Sequence, residues 1–163
     1  MSTKDLSPLT PDEVGQLREA FPYITVLIAG CDGKIEPKEL EWAEKIVHIR
    51  TFAGNESLDT FHEEVQADFT SKVSELIATL PAGTSERNTM IAEKLSELNP
   101  ILAKLDPEIG TILYKGYKSF AERIAKSAGG FLSFFSIGPE EKKWIGLPML
   151  QEIIHMDDDE EAE

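Results

Sequence analysis

Apolar residues recur at helical spacing along most of this 163-residue chain, and no other pattern limits its fold so strongly. Between Leu58 and Leu80 they return every three or four residues, which places them on one face of a long helix. Similar stripes run from Leu17 to Ile28, from Leu40 to Val47, from Met90 to Leu98 and from Ile109 to Ile124. No segment alternates apolar and polar residues between turn dipeptides, as half-buried strands do. We therefore predict an all-α fold, a single domain of six to seven helices.

Proline marks the start of several predicted helices. It suits the first turn because its missing N–H group would be unpaired there in any residue. The four candidate starts are Thr10-Pro11, Glu36-Pro37, Asp106-Pro107 and Gly138-Pro139. After three of them a glutamate follows two residues later, where its carboxylate can reach a free backbone N–H group. These glutamates are Glu13, Glu39 and Glu141.

Other prolines and one glycine predict interruptions. Pro22 and Pro100 lie inside apolar stripes, so we expect each of them to kink or end its helix. Gly146 and Pro148 predict a break in the last helical segment.

Charge and composition limit the partners and the compartment. The net charge is −14, and residues 157–163 hold six acids and no base. An acidic chain repels phosphate backbones, so we expect no nucleic-acid partner. A single cysteine, Cys31, excludes an internal disulfide. The N-terminal stretch "MSTKDLSPLTPDE" is polar and lacks the apolar core of a signal peptide, and no apolar run is long enough for a membrane span. We predict a cytoplasmic protein with a flexible N-terminus (1–9), one helical domain (10–156) and a disordered acidic tail (157–163).

Two helix starts match closely enough to suggest an internal repeat. The segments "IEPKELEW" (35–42) and "IGPEEKKW" (137–144) share Ile, Pro, Glu and Trp at the same spacing. Each follows a stretch of small residues that ends an apolar helix. The pattern predicts a helix-turn-helix unit used twice, with Trp42 and Trp144 each anchoring one unit in the core.

The segments around these two joints resemble the TerB-like family, the tellurite-resistance protein B group. "VLIAGCDGKIEPKELEWAEKIV" is similar to its first repeat, and "AERIAKSAGGFLSFFSIGPEEKKW" is similar to its second. The resemblance covers about residues 10–155. It implies a helical, internally duplicated, non-enzymatic protein of the cytoplasm, linked to tellurite resistance and other chemical stress. It also implies an acidic surface that could bind divalent cations, and work within membrane-associated assemblies.

Acidic residues near the two joints are candidate metal ligands. A true EF-hand is excluded, because Ile28 and Gly30 would occupy its first and third ligand positions. Carboxylates from both joints could still hold a hard divalent cation through oxygens and waters. These candidates are Asp32, Glu36, Glu39, Glu140 and Glu141.

A purely structural interpretation of the same acids stays open. Asp32 and the glycine after it form a turn, Glu36 caps the next helix, and Glu39 meets the positive end of that helix. In the second joint Phe134 stands where the repeat would place a partner for Asp32.

The stretch "GGFLSFF" (129–135) suggests an alternative, metal-free function. Phe131, Phe134 and Phe135 either fold onto the core or form an apolar loop that docks on a protein partner or a membrane surface. A basic strip precedes it, and this strip could stay solvated, pair with the acidic tail or face anionic lipid. Its members are Lys115, Lys118, Arg123 and Lys126.

No catalytic motif stands out. The chain has no P-loop, no Gly-rich dinucleotide fingerprint and no Ser–His–Asp pattern. Its histidines, His48, His62 and His155, are too far apart to suggest a transition-metal site. We expect a protein that is not an enzyme.

Overall fold

The structure, a computed structural model, describes residues 6–30, 37–48, 58–127 and 144–152. These ranges contain five helices of 12 to 21 residues and one helix of six residues. They are α1 (Pro11–Ala29), α2 (Pro37–His48), α3 (Asp59–Thr79), α4 (Thr84–Ser96), α5 (Leu98–Ala103) and α6 (Pro107–Ser127). The described ranges contain no strand, which confirms the predicted all-α class for this part of the chain. The total number of helices and the internal repeat stay predictions, since the joints at 31–36 and 128–143 lie outside the described residues.

The core forms where α1, α3 and α6 meet. The ring of Phe21 packs against Tyr117 and Phe120, with ring centroids 5.0 and 5.2 Å apart, and Phe120 meets Phe69 of α3 at 6.2 Å. The Tyr117 hydroxyl donates a 2.8 Å hydrogen bond to the carbonyl oxygen of Leu17. Complete burial raises the pKa of Tyr117, so the hydroxyl keeps the proton that it donates.

The short helix α2 covers one side of this core. Ala43, Ile46 and Val47 face inward and are buried, as the sequence predicts. Two polar contacts fix α2 antiparallel to α3. His48 Nδ1 lies 3.1 Å from Gln66 Oε1, and the Thr70 hydroxyl donates to Glu44 over 3.0 Å.

The start of α1 has the predicted capping box. Thr10 precedes Pro11, and its hydroxyl accepts a 3.2 Å hydrogen bond from the Glu13 backbone N–H. The Glu13 carboxylate in turn accepts a 3.0 Å bond from the Thr10 N–H. Lys104 also binds this carboxylate, and its hydrogen bond is the main cause that lowers the pKa of Glu13.

Two further helix starts lie where proline predicts them. α2 begins at Pro37 and α6 begins at Pro107. The Asp106 carboxylate accepts a 3.0 Å hydrogen bond from the Glu108 N–H and so caps α6. The fourth predicted start, at Pro139, lies outside the described residues.

Of the kink or break predicted at Pro22, the break is wrong, because α1 continues through this residue to Ala29. Pro22 removes the hydrogen bond that residue 22 would donate to the carbonyl of Arg18, and its ring crowds that carbonyl. The buried stripe on both sides of Pro22, which includes Leu17 and Ile28, outweighs that loss. The predicted interruption at Pro100 lies three residues earlier, at Glu97 between α4 and α5.

Three large apolar residues predicted to be buried are exposed, and one of them is Ile77 in the stripe of α3, which is 40 % exposed. Trp42, predicted to anchor its joint in the core, is 45 % exposed, because the inner face of α2 is formed by its smaller neighbours. Met90, predicted in the stripe of α4, is 43 % exposed, because the adjacent Ile91 takes the inward position. Trp144, which matches Trp42 in the proposed repeat, is partly buried against the core.

The C-terminal described segment turns back onto α5. The predicted break is confirmed, since helical geometry stops after Ile145. Leu147 adopts a left-handed backbone conformation with a φ of 49°, and the burial of its side chain in the core offsets the strain. Asn99 holds the next stretch, because its amide donates to the Met149 carbonyl over 2.9 Å and accepts from the Gln151 N–H over 2.8 Å.

Residues before α1 also contribute to the core. Leu9 is buried and Leu6 packs against the same cluster, although the sequence assigns both to a flexible segment. The packed part of the described chain therefore includes Leu6, whereas residues 1–5 lie outside the described residues. The domain limits 10–156 and the disordered tail 157–163 stay predictions.

Candidate functional site

The proposed metal ligands lie at two joints that the structure describes only at their edges. Asp32, Glu36, Glu140 and Glu141 are outside the described residues, and Glu39 lies in the first turn of α2, where its side chain is not described. The described residues therefore do not test whether these five acids come together, and the metal site stays a prediction. Among the described residues, no group of three or more His, Cys, Asp or Glu side chains is placed to hold a metal ion.

The edges of the first joint are well defined. α1 ends at Gly30, whose N–H donates a 2.9 Å hydrogen bond to the carbonyl of Val26. The guanidinium of Arg87, on α4, donates a 2.7 Å hydrogen bond to the carbonyl oxygen of Gly30. α2 then begins at Pro37. The end of α1 is therefore tied to α4 immediately before the segment that contains Asp32.

Arg87 is an unusual residue for this position. Its side chain is only 8 % exposed, and its Nε atom has no hydrogen-bond partner among the described residues. Buried arginines normally pair with a carboxylate, whereas the described partner of Arg87 is a neutral carbonyl at the negative end of α1. A fixed cation at the edge of the joint repels a divalent metal ion and attracts a carboxylate.

Sequence reasoning missed Arg87 entirely. It lies in the polar stretch "TSERNT" at the start of α4, and nothing local distinguishes it from a solvated arginine. Its contact with Gly30 spans 57 positions of the chain, so only the packing of α4 against α1 reveals it.

The outer surface of α2 presents Trp42. Trp42 is two residues from Glu44, which bonds to α3, so it lies more than half a turn away from that contact. The ammonium group of Lys45 sits 5.9 Å from the centre of the Trp42 ring, within the range of a cation–π interaction. Glu41, next to Trp42, is also exposed. The surface thus combines a large aromatic ring with nearby charges of both signs.

A cleft of about 220 Å³ separates α1 from α3. Pro22, Val65 and Phe69 contribute apolar surface to it. Charged side chains surround this surface and are paired with one another across the two helices. Lys72 lies 2.9 Å from Glu75 and 3.6 Å from Glu19, and Arg18 lies 3.7 Å from Glu64.

These ion pairs stabilise the packing around the cleft, and they do not prepare a catalytic group in it. The hydrogen bond that Lys72 donates to Glu75 is the main cause that raises the pKa of Lys72, so the lysine stays charged. Partial burial, followed by the charge of Glu19, raises the pKa of the nearby Tyr23. Both shifts move a group away from neutral pH, which is the opposite of what a general acid or base needs. We therefore interpret the cleft as a structural feature of the packing between α1 and α3.

The predicted basic strip lies on the exposed edge of α6. Arg123 and Lys126 are exposed, and Lys118 packs its ammonium 5.5 Å from the centre of the Tyr114 ring. The aromatic residues Phe131, Phe134 and Phe135, which follow in sequence, lie outside the described residues. Their role as core or as docking loop stays a prediction.

The two described histidines form no metal site with their described neighbours. His48 contacts Gln66 on the surface, and His62 is buried in α3. His155 and Cys31 lie outside the described residues. No helix in the described part of the chain has the length and hydropathy needed to cross a membrane.

Comparisons of the chain with protein-family models, with curated protein sequences and with solved structures found no match. The fold of the described residues and the candidate surfaces on them are therefore described from the chain's own geometry, and the resemblance to the TerB-like family stays a prediction.

Proposed function

We propose that this chain is a non-enzymatic interaction module that binds a basic segment of a partner protein through the outer surface of α2. The exposure of Trp42 carries this proposal. Tryptophan is one of the residue types enriched among the energetic centres of protein interfaces. The core does not need Trp42, since Ala43, Ile46 and Val47 already fill the inner face of α2.

The charge around Trp42 favours a basic partner. The chain has a net charge of −14. Glu41 and Glu44 of α2 are exposed. Lys45 already places a cation near the Trp42 ring, and an arginine from a partner could take the same position.

The test uses a labelled amphipathic peptide of arginine, leucine and alanine, with an acidic peptide of the same length as its counterpart. Fluorescence anisotropy with the wild-type chain should give salt-dependent binding of the basic peptide only. Trp42→Ala should weaken binding by about tenfold, which corresponds to about 1.4 kcal/mol. Met90→Ala is the matched control, since Met90 is similarly exposed on a different helix.

Two outcomes would reject the α2 surface. Either the basic peptide fails to bind the wild-type chain, or Trp42→Ala and Met90→Ala weaken binding equally. Both substitutions remove exposed side chains, so both variants should retain the wild-type stability within about 0.5 kcal/mol. Circular dichroism melts of the two variants check this point.

A second candidate function is the metal-responsive stress protein that the TerB-like resemblance implies. The defined ends of the first joint favour this metal-binding function. Gly30 ends α1 and Pro37 begins α2, and the six residues between them include Asp32 and Glu36. A short segment with fixed ends holds its carboxylates at low entropic cost. The nearby positive charge of Arg87 disfavours a bound cation, and for this reason we rank the metal-binding function second.

A thermal-shift series with calcium, magnesium, manganese and zinc tests this candidate. A metal present at 100 times its Kd should stabilise the fold by about 2.7 kcal/mol. For a chain of this size that is a rise in Tm of roughly 5 to 11 °C. The rise should disappear in Asp32→Ala and persist in Glu93→Ala, which removes an exposed acid of α4. The candidate fails if no metal shifts the Tm, or if both variants respond alike.

A further inference from the structure

Residues 144–152, which we call the strap, pack against the core as a short segment of consecutive turns. The glycine and the proline of the strap are exposed to solvent. Three of its apolar side chains enter the core and are at most 8 % exposed, namely Ile145, Leu147 and Leu150. The strap therefore resembles a bound peptide more than a further helix of the bundle.

Asn99 of α5 binds the main chain of the strap at two points. Its amide group donates a 2.9 Å hydrogen bond to the Met149 carbonyl oxygen, and its side-chain oxygen accepts a 2.8 Å bond from the Gln151 N–H. Both groups of the strap belong to the backbone, so the contact does not depend on which side chains stand at these positions. Proteins that bind peptides gain affinity from main-chain hydrogen bonds of this kind and selectivity from pockets for side chains.

The buried side chains of the strap supply the selectivity. Leu147 and Leu150 belong to the same buried cluster as Leu98, Ile101 and Leu102 of α5. Protein interiors are close-packed, and the burial of an unpaired charge in them is costly. The space that the strap fills therefore fits two leucine-like side chains three positions apart and excludes charged ones.

The strap also has features that allow it to leave the core. Leu147 has a φ of 49°, a left-handed conformation that is strained for leucine, and release of the strap removes this strain. The N–H of Leu147 donates to the Trp144 carbonyl over 3.0 Å, and the N–H of Leu150 donates to the Leu147 carbonyl over 3.1 Å. Both bonds lie within the strap, so they can persist after its release. The bond between Asn99 and Gln151 is exposed, so water can replace it.

We propose that the strap occupies a peptide-binding groove beside α5, and that a partner segment of the same chemistry displaces it. The partner segment carries two leucine-like side chains three positions apart, and its main chain takes over the two hydrogen bonds of Asn99. The strap acts as an internal competitor, because it belongs to the same chain and is present at a high effective concentration. Asn99 and Trp42 lie on different helices, so this proposal and the one for the α2 surface can fail separately.

A synthetic peptide of residues 144–152, labelled with a fluorophore, tests the groove. The full-length double variant Leu147→Asp/Leu150→Asp cannot bury its own strap, so its groove is open to the peptide. Fluorescence anisotropy should show that this variant binds the peptide roughly tenfold or more tightly than the wild-type chain does. A peptide with aspartate at both leucine positions should not bind.

Substitution of Asn99 tests the main-chain contact. Asn99→Ala, added to the double variant, should weaken peptide binding by about fivefold or more, as expected for the loss of a net hydrogen bond. Ser96→Ala is the matched control, since the Ser96 hydroxyl bonds to the Glu93 carbonyl within α4 and should not affect the peptide.

Four results would overturn the proposal. The first two are a double variant that binds the peptide no more tightly than the wild type, and an affinity that Asn99→Ala leaves unchanged. The third is a double variant that circular dichroism shows to be unfolded, because the strap is then an integral part of the core. The fourth is a wild-type dimer in sedimentation experiments that the double variant lacks, because the occupant of the groove would then be the strap of a second copy.

Native-state hydrogen exchange tests the release of the strap without any substitution. The amides of Leu147 and Leu150 should exchange together, and roughly tenfold or more faster than the amide of Leu113, which is fully buried in α6. In Asn99→Ala the two strap amides should exchange faster still, while Leu113 stays unchanged. If the strap amides exchange only as slowly as Leu113, the strap opens only when the whole protein unfolds, and the proposal is wrong.

Discussion

Replacement of Arg87 by methionine should destabilise the protein by a predictable amount. Methionine keeps an apolar stem of similar reach but removes the charge and the 2.7 Å hydrogen bond to the Gly30 carbonyl. A hydrogen bond from a charged donor contributes about 1.5–3 kcal/mol, and a buried carbonyl left unpaired costs about 1–3 kcal/mol. Removal of the charge also relieves the cost of burying it, which acts in the opposite direction. We expect a net loss of about 1–3 kcal/mol in the free energy of unfolding.

Urea unfolding followed by circular dichroism measures this loss. Lys94→Met is the matched control on the same helix, and because Lys94 is exposed, it should change the stability by less than about 0.5 kcal/mol. Hydrogen exchange adds a local readout. Because Arg87 ties the end of α1 to α4, the amides near Gly30 should lose more protection in Arg87→Met than those near the start of α1.

Arg87→Met with wild-type or higher stability would refute this reasoning. It would mean that the cost of burying the guanidinium exceeds the value of its bond to Gly30. Unchanged exchange at the end of α1 would show that other contacts hold this edge of the joint.

Two further predictions follow from the core and from the first helix cap. Phe21→Ala should cost about 3–5 kcal/mol in urea unfolding, since Phe21 is 2 % exposed and its ring packs against Tyr117 at 5.0 Å. Glu13→Gln should flatten the pH dependence of stability: Lys104 lowers the folded-state pKa of Glu13 below 4.5, so the stabilisation is present above about pH 4.5 and is lost as the pH falls through the folded value. Urea melts at pH 6 and pH 3 should therefore show the variant and the wild type converging in acid, and a constant difference would contradict this assignment.

The features that sequence predicted well are local ones. The capping box of Thr10 and Glu13 depends on residues three apart, so the sequence contains the whole motif. The apolar stripe of α3 is similarly regular, and its members from Phe61 to Leu76 are buried as predicted. Helix starts at Pro37 and Pro107 need only the intrinsic geometry of proline.

The features that sequence predicted poorly depend on packing between distant segments. Trp42 looks like a core anchor because it is large and apolar, yet the position of α2 on α3 and α6 turns it outward. Pro22 looks like a helix breaker, and the burial of its neighbours keeps α1 intact. Arg87 looks like a surface residue, and only the approach of α4 to the end of α1 buries it. In each case a tertiary contact overrides a local preference.

The predicted metal site is another feature that local sequence does not decide. Asp32, Glu36 and Glu39 are close in sequence, and their chemistry suits a divalent cation. What decides between metal binding and helix capping is the direction of their side chains, which local sequence does not specify. The buried charge of Arg87 at the edge of the joint is the one described feature that bears on this choice.

The central claim, that α2 presents a docking surface around Trp42, is tested most directly by mapping bound basic peptide onto the chain by NMR. Amide shifts of the isotopically labelled protein are followed as unlabelled arginine-rich peptide is added. We predict that the largest shifts cluster on the outer surface of α2, around Trp42 and Lys45, and that they vanish in Trp42→Ala. Shifts that cluster on another helix, or that spread evenly over the acidic surface, would contradict the claim.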